Sequence, residues 1–166
     1  MNRLKLEVRS LNAVYATAVS AIMIFIDFCV WCAIGSPAYI LKFISSSLKV
    51  PPLWLFGLLD LLSFAVLGFS LGAVLGTLCS AYDVPKYRGA FFFVIGVTLA
   101  FLHHVIFFGF ARFFFSLVVS VLSCAFLAAA VVDFFHVSKL SGVISVIGVL
   151  WRFYILILDV MTFFVM

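Results

Sequence analysis

Five runs of apolar residues dominate this sequence of 166 residues, and each run is long enough to cross a lipid bilayer. They cover residues 11–34, 51–78, 90–109, 113–135 and 141–166. A helix needs about 20 mainly apolar residues to span the hydrocarbon layer. The pattern therefore predicts an all-α membrane protein, folded as a bundle of five transmembrane helices.

The composition supports one membrane domain without a soluble module. Hydrophobic residues make up 67% of the chain and charged residues 10%, whereas soluble domains have about 45–50% and about 25%. Only short polar stretches separate the runs, so residues 1–166 are predicted to form a single domain. The first run exceeds the roughly 7–15 apolar residues of a signal peptide, so we expect it to remain as the first span.

The basic residues predict how the bundle is oriented. With five spans, the N-terminus and the loops 79–89 and 136–140 share one side of the membrane. That side carries Arg3, Lys5, Arg9, Lys86, Arg88 and Lys139, against Lys42, Lys49 and Arg112 on the other. Cytoplasmic segments hold the excess of Lys and Arg, which predicts a multi-pass protein of a bacterial cell membrane with a cytoplasmic N-terminus. The net charge of +4 suits contact with anionic lipid headgroups rather than with nucleic acid.

Two segments bear on packing. Residues 35–50 are predicted to form a folded external loop that packs over the spans. Gly68, Gly72 and Gly76 recur every fourth residue, and small residues at this spacing let a neighbouring helix approach closely. Packing within the chain is the favoured interpretation of this stripe, and a homodimer interface is the alternative.

Ionisable residues inside the apolar runs are candidates for function. A charge at the centre of a membrane helix costs about 2.5–3.5 kcal/mol, so such residues are rare without a role. They are Asp27, Asp60, His103, His104, Arg152 and Asp159. Counting about 1.5 Å of rise per residue places all except His104 in the external half of the membrane, with Asp60 and Arg152 at nearly the same depth. Asp133 and His136 are expected to be solvated at the cytoplasmic boundary.

The matching depths leave two interpretations open. The charges could line a cavity beneath the external loop, or Asp60 and Arg152 could form a structural ion pair that fixes the register of two helices. The adjacent His103 and His104 point about 100° apart on a helix, so they do not readily bind one metal ion. No metal site, catalytic residue or resident cofactor is predicted, and an enzyme is the least favoured function. Any reaction would depend on proton transfer by Asp60, His103 and Arg152.

The segment "VPPLWLFGLLDLLSFAVLG" (50–68) resembles the second span of the translocator-protein family. That family is also called the tryptophan-rich sensory proteins or peripheral-type benzodiazepine receptors. Pro51, Pro52, Trp54, Phe56, Gly57 and Gly68 match its pattern. The resemblance continues in order through "VIFFG" (105–109) and "FHVSKLSG" (135–142) to "LWRFYILILD" (150–159), where Trp151 matches a family Trp.

The resemblance implies a five-helix bundle, often dimeric, with a pocket under the first loop that binds porphyrins, sterols and drug-like molecules. It assigns to that pocket Phe56, Asp60, Phe64, His103, Phe115, Trp151, Ile155 and Asp159, and the depth argument adds Arg152. The sequence departs from the family at Asp60 and His103, where the family has Trp, and at Asp159, where it has Asn. These changes imply the family scaffold with an altered pocket, and they put the family's indole-dependent porphyrin breakdown in doubt.

The favoured function is therefore the binding of a flat apolar ligand, a porphyrin or sterol-like molecule, within the bundle, with transport or sensing as its outcome. Aromatic walls would stack on the ligand while polar side chains hold its edge. The expected partners are this small hydrophobic ligand, the lipid bilayer and, as an alternative, a second copy of the chain. A tetrapyrrole is expected as a bound ligand and not as a cofactor. Two other functions stay open: a structural subunit of a membrane complex, and a proton-coupled carrier.

Overall fold

A computed structural model describes residues 13–34, 51–77 and 83–165. Every secondary-structure element in these ranges is a helix: α1 Ala13–Ile34, α2 Leu53–Leu75, α3 Asp83–His104, α4 Phe113–Val137 and α5 Lys139–Val165. A π-helical turn, Val105–Gly109, continues α3. All five helices are long and apolar enough to cross a membrane, which confirms the predicted fold class. The predicted external loop at 35–50 lies outside the described residues.

Prolines mark the start of two helices. Pro52 is the N-cap of α2, and Pro85 lies in the first turn of α3. The first turn has no partner for its N–H groups, so proline, which lacks one, is tolerated there. The prediction of a loop over 79–89 is wrong for residues 83–89, because "DVPKYRG" is already helical. Asp83 also favours a helix start, since its negative charge faces the positive end of the helix dipole.

The helices pack in a ring rather than in chain order. α1 packs against α2, α2 against α5, α5 against α4, and α4 against α3. Short connections at 110–112 and at Ser138 make α3, α4 and α5 antiparallel neighbours. This order brings the C-terminal ends of α1 and α3 and the N-terminal end of α2 to one end of the bundle, the end where residues 35–50 connect α1 to α2.

Glycines in α2 allow α1 to approach. A Cβ atom at Gly72 would lie 2.4 Å from the Tyr15 carbonyl oxygen, and one at Gly68 would lie 2.9 Å from Ser20 Cα. Both distances are shorter than any normal contact, so only glycine permits this spacing. The favoured interpretation, packing within the chain, is confirmed for Gly68 and Gly72. The homodimer stays a prediction.

An ion pair joins α3 and α4 at the opposite end of the bundle. Asp133 is 2% exposed, and it accepts hydrogen bonds from Arg88 Nε at 2.9 Å and Arg88 Nη2 at 2.5 Å. The prediction that Asp133 is solvated is therefore wrong. The helical residues 83–89 carry Arg88 next to α4, and its two N–H groups replace water at both carboxylate oxygens. His136, by contrast, is exposed as expected.

Candidate functional site

Asp60 of α2 has no exposed surface, and side chains from three other helices surround its carboxylate. Oδ1 accepts hydrogen bonds from Trp151 Nε1 at 2.9 Å and Arg152 Nη2 at 2.6 Å. Oδ2 accepts one from Trp31 Nε1 at 3.3 Å and lies 2.9 Å from His104 Nε2. A carboxylate offers about four lone pairs, and three hydrogen bonds from this protein's own groups reach the carboxylate of Asp60.

Arg152 of α5 balances the charge of Asp60. It is also buried, its Nη2 lies 3.3 Å from Ser63 Oγ, and its guanidinium carbon lies 4.1 Å above the ring of Phe64. Removing a guanidinium from water costs several kcal/mol, and this cost is offset only where partners are close. A carboxylate and an aromatic face supply those partners here. The predicted pairing of Asp60 with Arg152, made from helix depth alone, is confirmed.

A second acid–histidine pair lies beside the first. His103 Nε2 is 2.9 Å from Asp159 Oδ2, and both side chains are buried. The rings of His103 and His104 are nearly perpendicular, at 82°, so each histidine faces a different carboxylate. Neither histidine contact has the direction of a regular hydrogen bond from the ring nitrogen, although both have ion-pair distances. Among the residues that the structure describes, no group of three side chains could hold a metal ion.

Asp27 of α1 completes the charges at this level. It has no exposed surface, and neither carboxylate oxygen accepts a hydrogen bond from any described residue. The charged groups that act on it are Asp60, His104 and Arg152. We use the term charge network for Asp27, Asp60, His103, His104, Arg152 and Asp159.

Aromatic rings pack against the charge network near the C-terminal end of α1 and the N-terminal end of α2. This aromatic cluster consists of Trp31, Phe56, Phe107, Phe108 and Trp151. Neighbouring ring centroids are 5.3 Å apart for Trp31 and Phe108, 5.4 Å for Phe56 and Trp151, and 4.9 Å for Phe107 and Phe108. The two tryptophans are only partly buried, and both donate their indole N–H to Asp60.

The structure brings together most of the predicted site residues. Eight of them lie in or against the charge network and the aromatic cluster: Phe56, Asp60, Phe64, His103, Trp151, Arg152, Ile155 and Asp159. Phe115 lies elsewhere. It is 62% exposed and lines a surface groove of about 340 Å³ with Arg112, Phe114 and Phe163.

The predicted set of site residues did not include Asp27, Trp31 or His104. Asp27 and Trp31 are four residues apart and therefore share one face of α1, a spacing that could have found both. No comparable signal separates His104 from His103, because only the rotation of α3 decides which histidine faces which carboxylate.

A small cavity lies beside the charge network, between α3, α4 and α5. Its volume is about 10 Å³, and His103, Ser120, Ser123, Cys124 and Arg152 contribute to its wall. A space of about 10–15 Å³ is the least that holds one water molecule. Around Asp60 itself, protein side chains occupy the space. A ligand can reach this carboxylate only if a neighbour such as Trp31 or Trp151 moves.

Comparison with known protein families gives a match. The model of the TspO/MBR family matches residues 44–164. This range is more than half of the chain, and it includes α2 to α5 and all of the charge network except Asp27. Neither the curated proteins nor the solved structures give a match.

Proposed function

This chain belongs to the TspO/MBR family of membrane proteins, and from that premise we propose that it binds a flat, largely apolar ligand inside the helix bundle. The ligand class is a porphyrin or a sterol-like molecule, and the site is the aromatic cluster together with Asp60. One observation carries the proposal: two tryptophans of the aromatic cluster donate their N–H groups to the same buried carboxylate. Apolar surface and a hydrogen-bonding group therefore meet at one point.

The proposed binding step exchanges an indole for the ligand. Trp31 and Trp151 are the partly buried members of the aromatic cluster, and each is linked to Asp60 by one hydrogen bond. When one indole moves aside, the ligand's flat face stacks on the remaining rings. A hydroxyl or neutral carboxylic acid group at the ligand's edge then donates a hydrogen bond to the vacated lone pair of Asp60.

This exchange makes the polar edge of the ligand a requirement. A buried acceptor that loses its donor costs about 1–3 kcal/mol. A flat hydrocarbon without a donor would leave Asp60 with that penalty, and it should bind correspondingly more weakly than a ligand of equal area with a donor. Selection among flat apolar molecules would therefore depend on one hydrogen-bond donor.

The same step offers a route to sensing or transport. Trp31 lies on α1, and its hydrogen bond to Asp60 ties α1 to α2. Releasing that bond loosens α1 at the end of the bundle next to residues 35–50. For the alternative of a structural subunit, the glycine stripe no longer supplies an argument, because Gly68 and Gly72 already pack against α1 of the same chain.

The test is a titration of the purified protein in lipid nanodiscs with a porphyrin, followed by tryptophan fluorescence. Trp54 is 70% exposed and takes no part in the cluster, so Trp54→Phe leaves only the two indoles bound to Asp60 as reporters. We expect saturable quenching, with affinity about tenfold lower in Asp60→Asn, which corresponds to about 1.4 kcal/mol.

Asp133→Asn is the matched control, since it also removes a buried, arginine-paired carboxylate but at the other end of the bundle. It should leave the affinity unchanged. A sterol added as competitor distinguishes the two ligand classes. If neither a porphyrin nor a sterol binds saturably, or if the two Asn variants lose affinity equally, the proposed site is wrong.

A further inference from the structure

The charge network contains more acidic than permanently basic groups. Its three carboxyl groups, Asp27, Asp60 and Asp159, face one guanidinium, that of Arg152, and all four are buried. With every carboxyl ionised, two negative charges would lack a counterpart. Uncompensated charge within the membrane interior is too costly to persist. Two protons must therefore reside on the carboxyls and the two histidines.

The contacts of His104 locate one proton. Its Nδ1 lies 2.8 Å from the carbonyl oxygen of Ala100, and a carbonyl can only accept, so Nδ1 carries hydrogen. Its Nε2 lies 2.9 Å from Asp60 Oδ2. An unprotonated nitrogen and a carboxylate oxygen repel at this distance, so Nε2 also carries a proton. With Asp60 held ionised by Arg152 and two indoles, that proton belongs to His104 as an imidazolium.

The absence of donors locates the second proton. Among the described residues, neither oxygen of Asp27 accepts a hydrogen bond, and its acidic neighbour is Asp60. An ionised carboxylate in this position would be buried without a donor and would face a second negative charge. A neutral carboxyl avoids both costs and can itself donate to Asp60.

With these two protons, the charges of the charge network sum to zero. A neutral His103 with hydrogen on Nε2 faces the ionised Asp159 at 2.9 Å. The two cations, His104 and Arg152, equal the two anions, Asp60 and Asp159. The groups that meet here come from every helix: Asp27 from α1, Asp60 from α2, both histidines from α3, the Cys124 thiol from α4, and Arg152 with Asp159 from α5.

We propose that Asp27 and His104 form a two-proton binding site in the membrane interior, with Asp27 holding an exchangeable proton next to Asp60. The ligand of this site is the proton itself. The small cavity at His103 and Arg152 has room for one water molecule, and Arg152 Nε donates to no described residue. A water there would connect the charge network to Ser120 and Ser123 of α4, and so supply a route for exchange.

Infrared spectroscopy tests the proton on Asp27 without any ligand. At neutral pH the protein in nanodiscs should show the carbonyl stretch of a neutral carboxylic acid, and this band should shift in heavy water because the proton exchanges. Asp27→Asn should lose the band. Asp133→Asn should keep it, since that carboxyl lies at the other end of the bundle and accepts two hydrogen bonds from Arg88. The proposal fails if the unmodified protein lacks the band or if Asp27→Asn retains it.

Nitrogen-15 spectra of labelled histidine test the proton on His104, and the unmodified protein alone suffices if a variant does not fold. One of the three histidines should remain an imidazolium at mildly alkaline pH. His104→Gln should remove that signal and His103→Gln should not. Three neutral histidines at this pH would overturn the assignment. Neither measurement uses a ligand, so failed porphyrin binding would not contradict the proposed proton site. Equally, a missing proton signal would not contradict the proposed porphyrin binding.

Discussion

Asp60 connects four helices through one side chain. Its carboxylate contacts Trp31 on α1, His104 on α3, and Trp151 and Arg152 on α5. Each of these partners directs a polar group at this one acceptor. A carboxylate within a membrane span, which is costly in isolation, thus becomes the point on which the helix orientations depend.

Asp60→Asn should destabilise the bundle strongly, by about 3–5 kcal/mol, because it leaves the guanidinium of Arg152 buried without its counter-charge. Replacing both residues, as Asp60→Asn with Arg152→Gln, should recover much of this loss, because no uncompensated charge remains. Thermal unfolding in detergent measures both effects. Equal stability of the single and double variants would contradict the pairing.

Phe56 and Phe115 provide a matched pair for ligand binding, since the family resemblance assigns both to the pocket. Phe56 is buried in the aromatic cluster, whereas Phe115 is exposed on the bundle surface. Phe56→Leu should weaken saturable porphyrin binding about tenfold, equivalent to about 1.4 kcal/mol, and Phe115→Leu should have no effect. Fluorescence titration measures the porphyrin affinity of both variants. If Phe115→Leu weakens binding and Phe56→Leu does not, the ligand binds in the groove at Arg112.

At this scale, what the sequence predicted follows from counting along helices. Equal depth identified Asp60 and Arg152 as partners because both lie in the middle of long apolar runs. Counting residues gives the depth of a side chain in the membrane but not the direction in which it points. It therefore could not show that His104, and not His103, faces Asp60. It also could not show that Asp27 reaches the same group, which depends on how α1 packs against α2.

Among the helices, α1 depends most on a single neighbour. It packs mainly against α2, and Gly68 and Gly72 bring the two backbones together. Since α1 carries Asp27 and Trp31, this close approach also decides whether both side chains reach Asp60. The glycine stripe therefore helps to position the candidate site, although its residues do not contact Asp60.

Gly72→Ala should separate α1 from α2, because the added Cβ would lie 2.4 Å from the Tyr15 carbonyl oxygen. We expect a loss of about 1–3 kcal/mol, typical of overpacking. Gly57→Ala is the control in the same helix, since a Cβ there meets nothing within 4 Å. Thermal unfolding compares the stability of the two variants. Native-gel sizing tests the alternative, a homodimer interface at the glycine stripe. A change of oligomer size without loss of stability would assign the stripe to a homodimer.

The helices themselves were predictable, because long apolar runs permit little else in a membrane. The start of α3 was not, since "DVPKYRG" reads as a polar turn. Its charges find partners in the folded bundle: Lys86 Nζ donates to the Thr77 carbonyl oxygen at 2.8 Å, and Arg88 pairs with Asp133. Tertiary contacts that no local pattern contains decided both the extra helical turns and the burial of Asp133.

For the molecule as a whole, the five membrane-spanning helices of the described residues place the start of α1 and the end of α5 on opposite sides of the membrane. The distribution of Lys and Arg predicts that the N-terminus is cytoplasmic. Alkaline phosphatase, which is active only outside the cytoplasm, should therefore be active when fused after residue 166 and inactive when inserted at Ser138, between α4 and α5. If the first fusion is inactive and the second is active, the predicted orientation is wrong.

The distance along the chain between Asp60 and Arg152 has a consequence for biosynthesis. Ninety-two residues separate them, so at 5–20 residues per second the ribosome needs roughly 5–20 s after making Asp60 before it supplies its counter-charge. During that interval α2 lies in the membrane without the guanidinium that pairs with Asp60. The bundle can be completed only after α5 has been inserted, and a chain that stops before residue 152 would leave Asp60 without that partner.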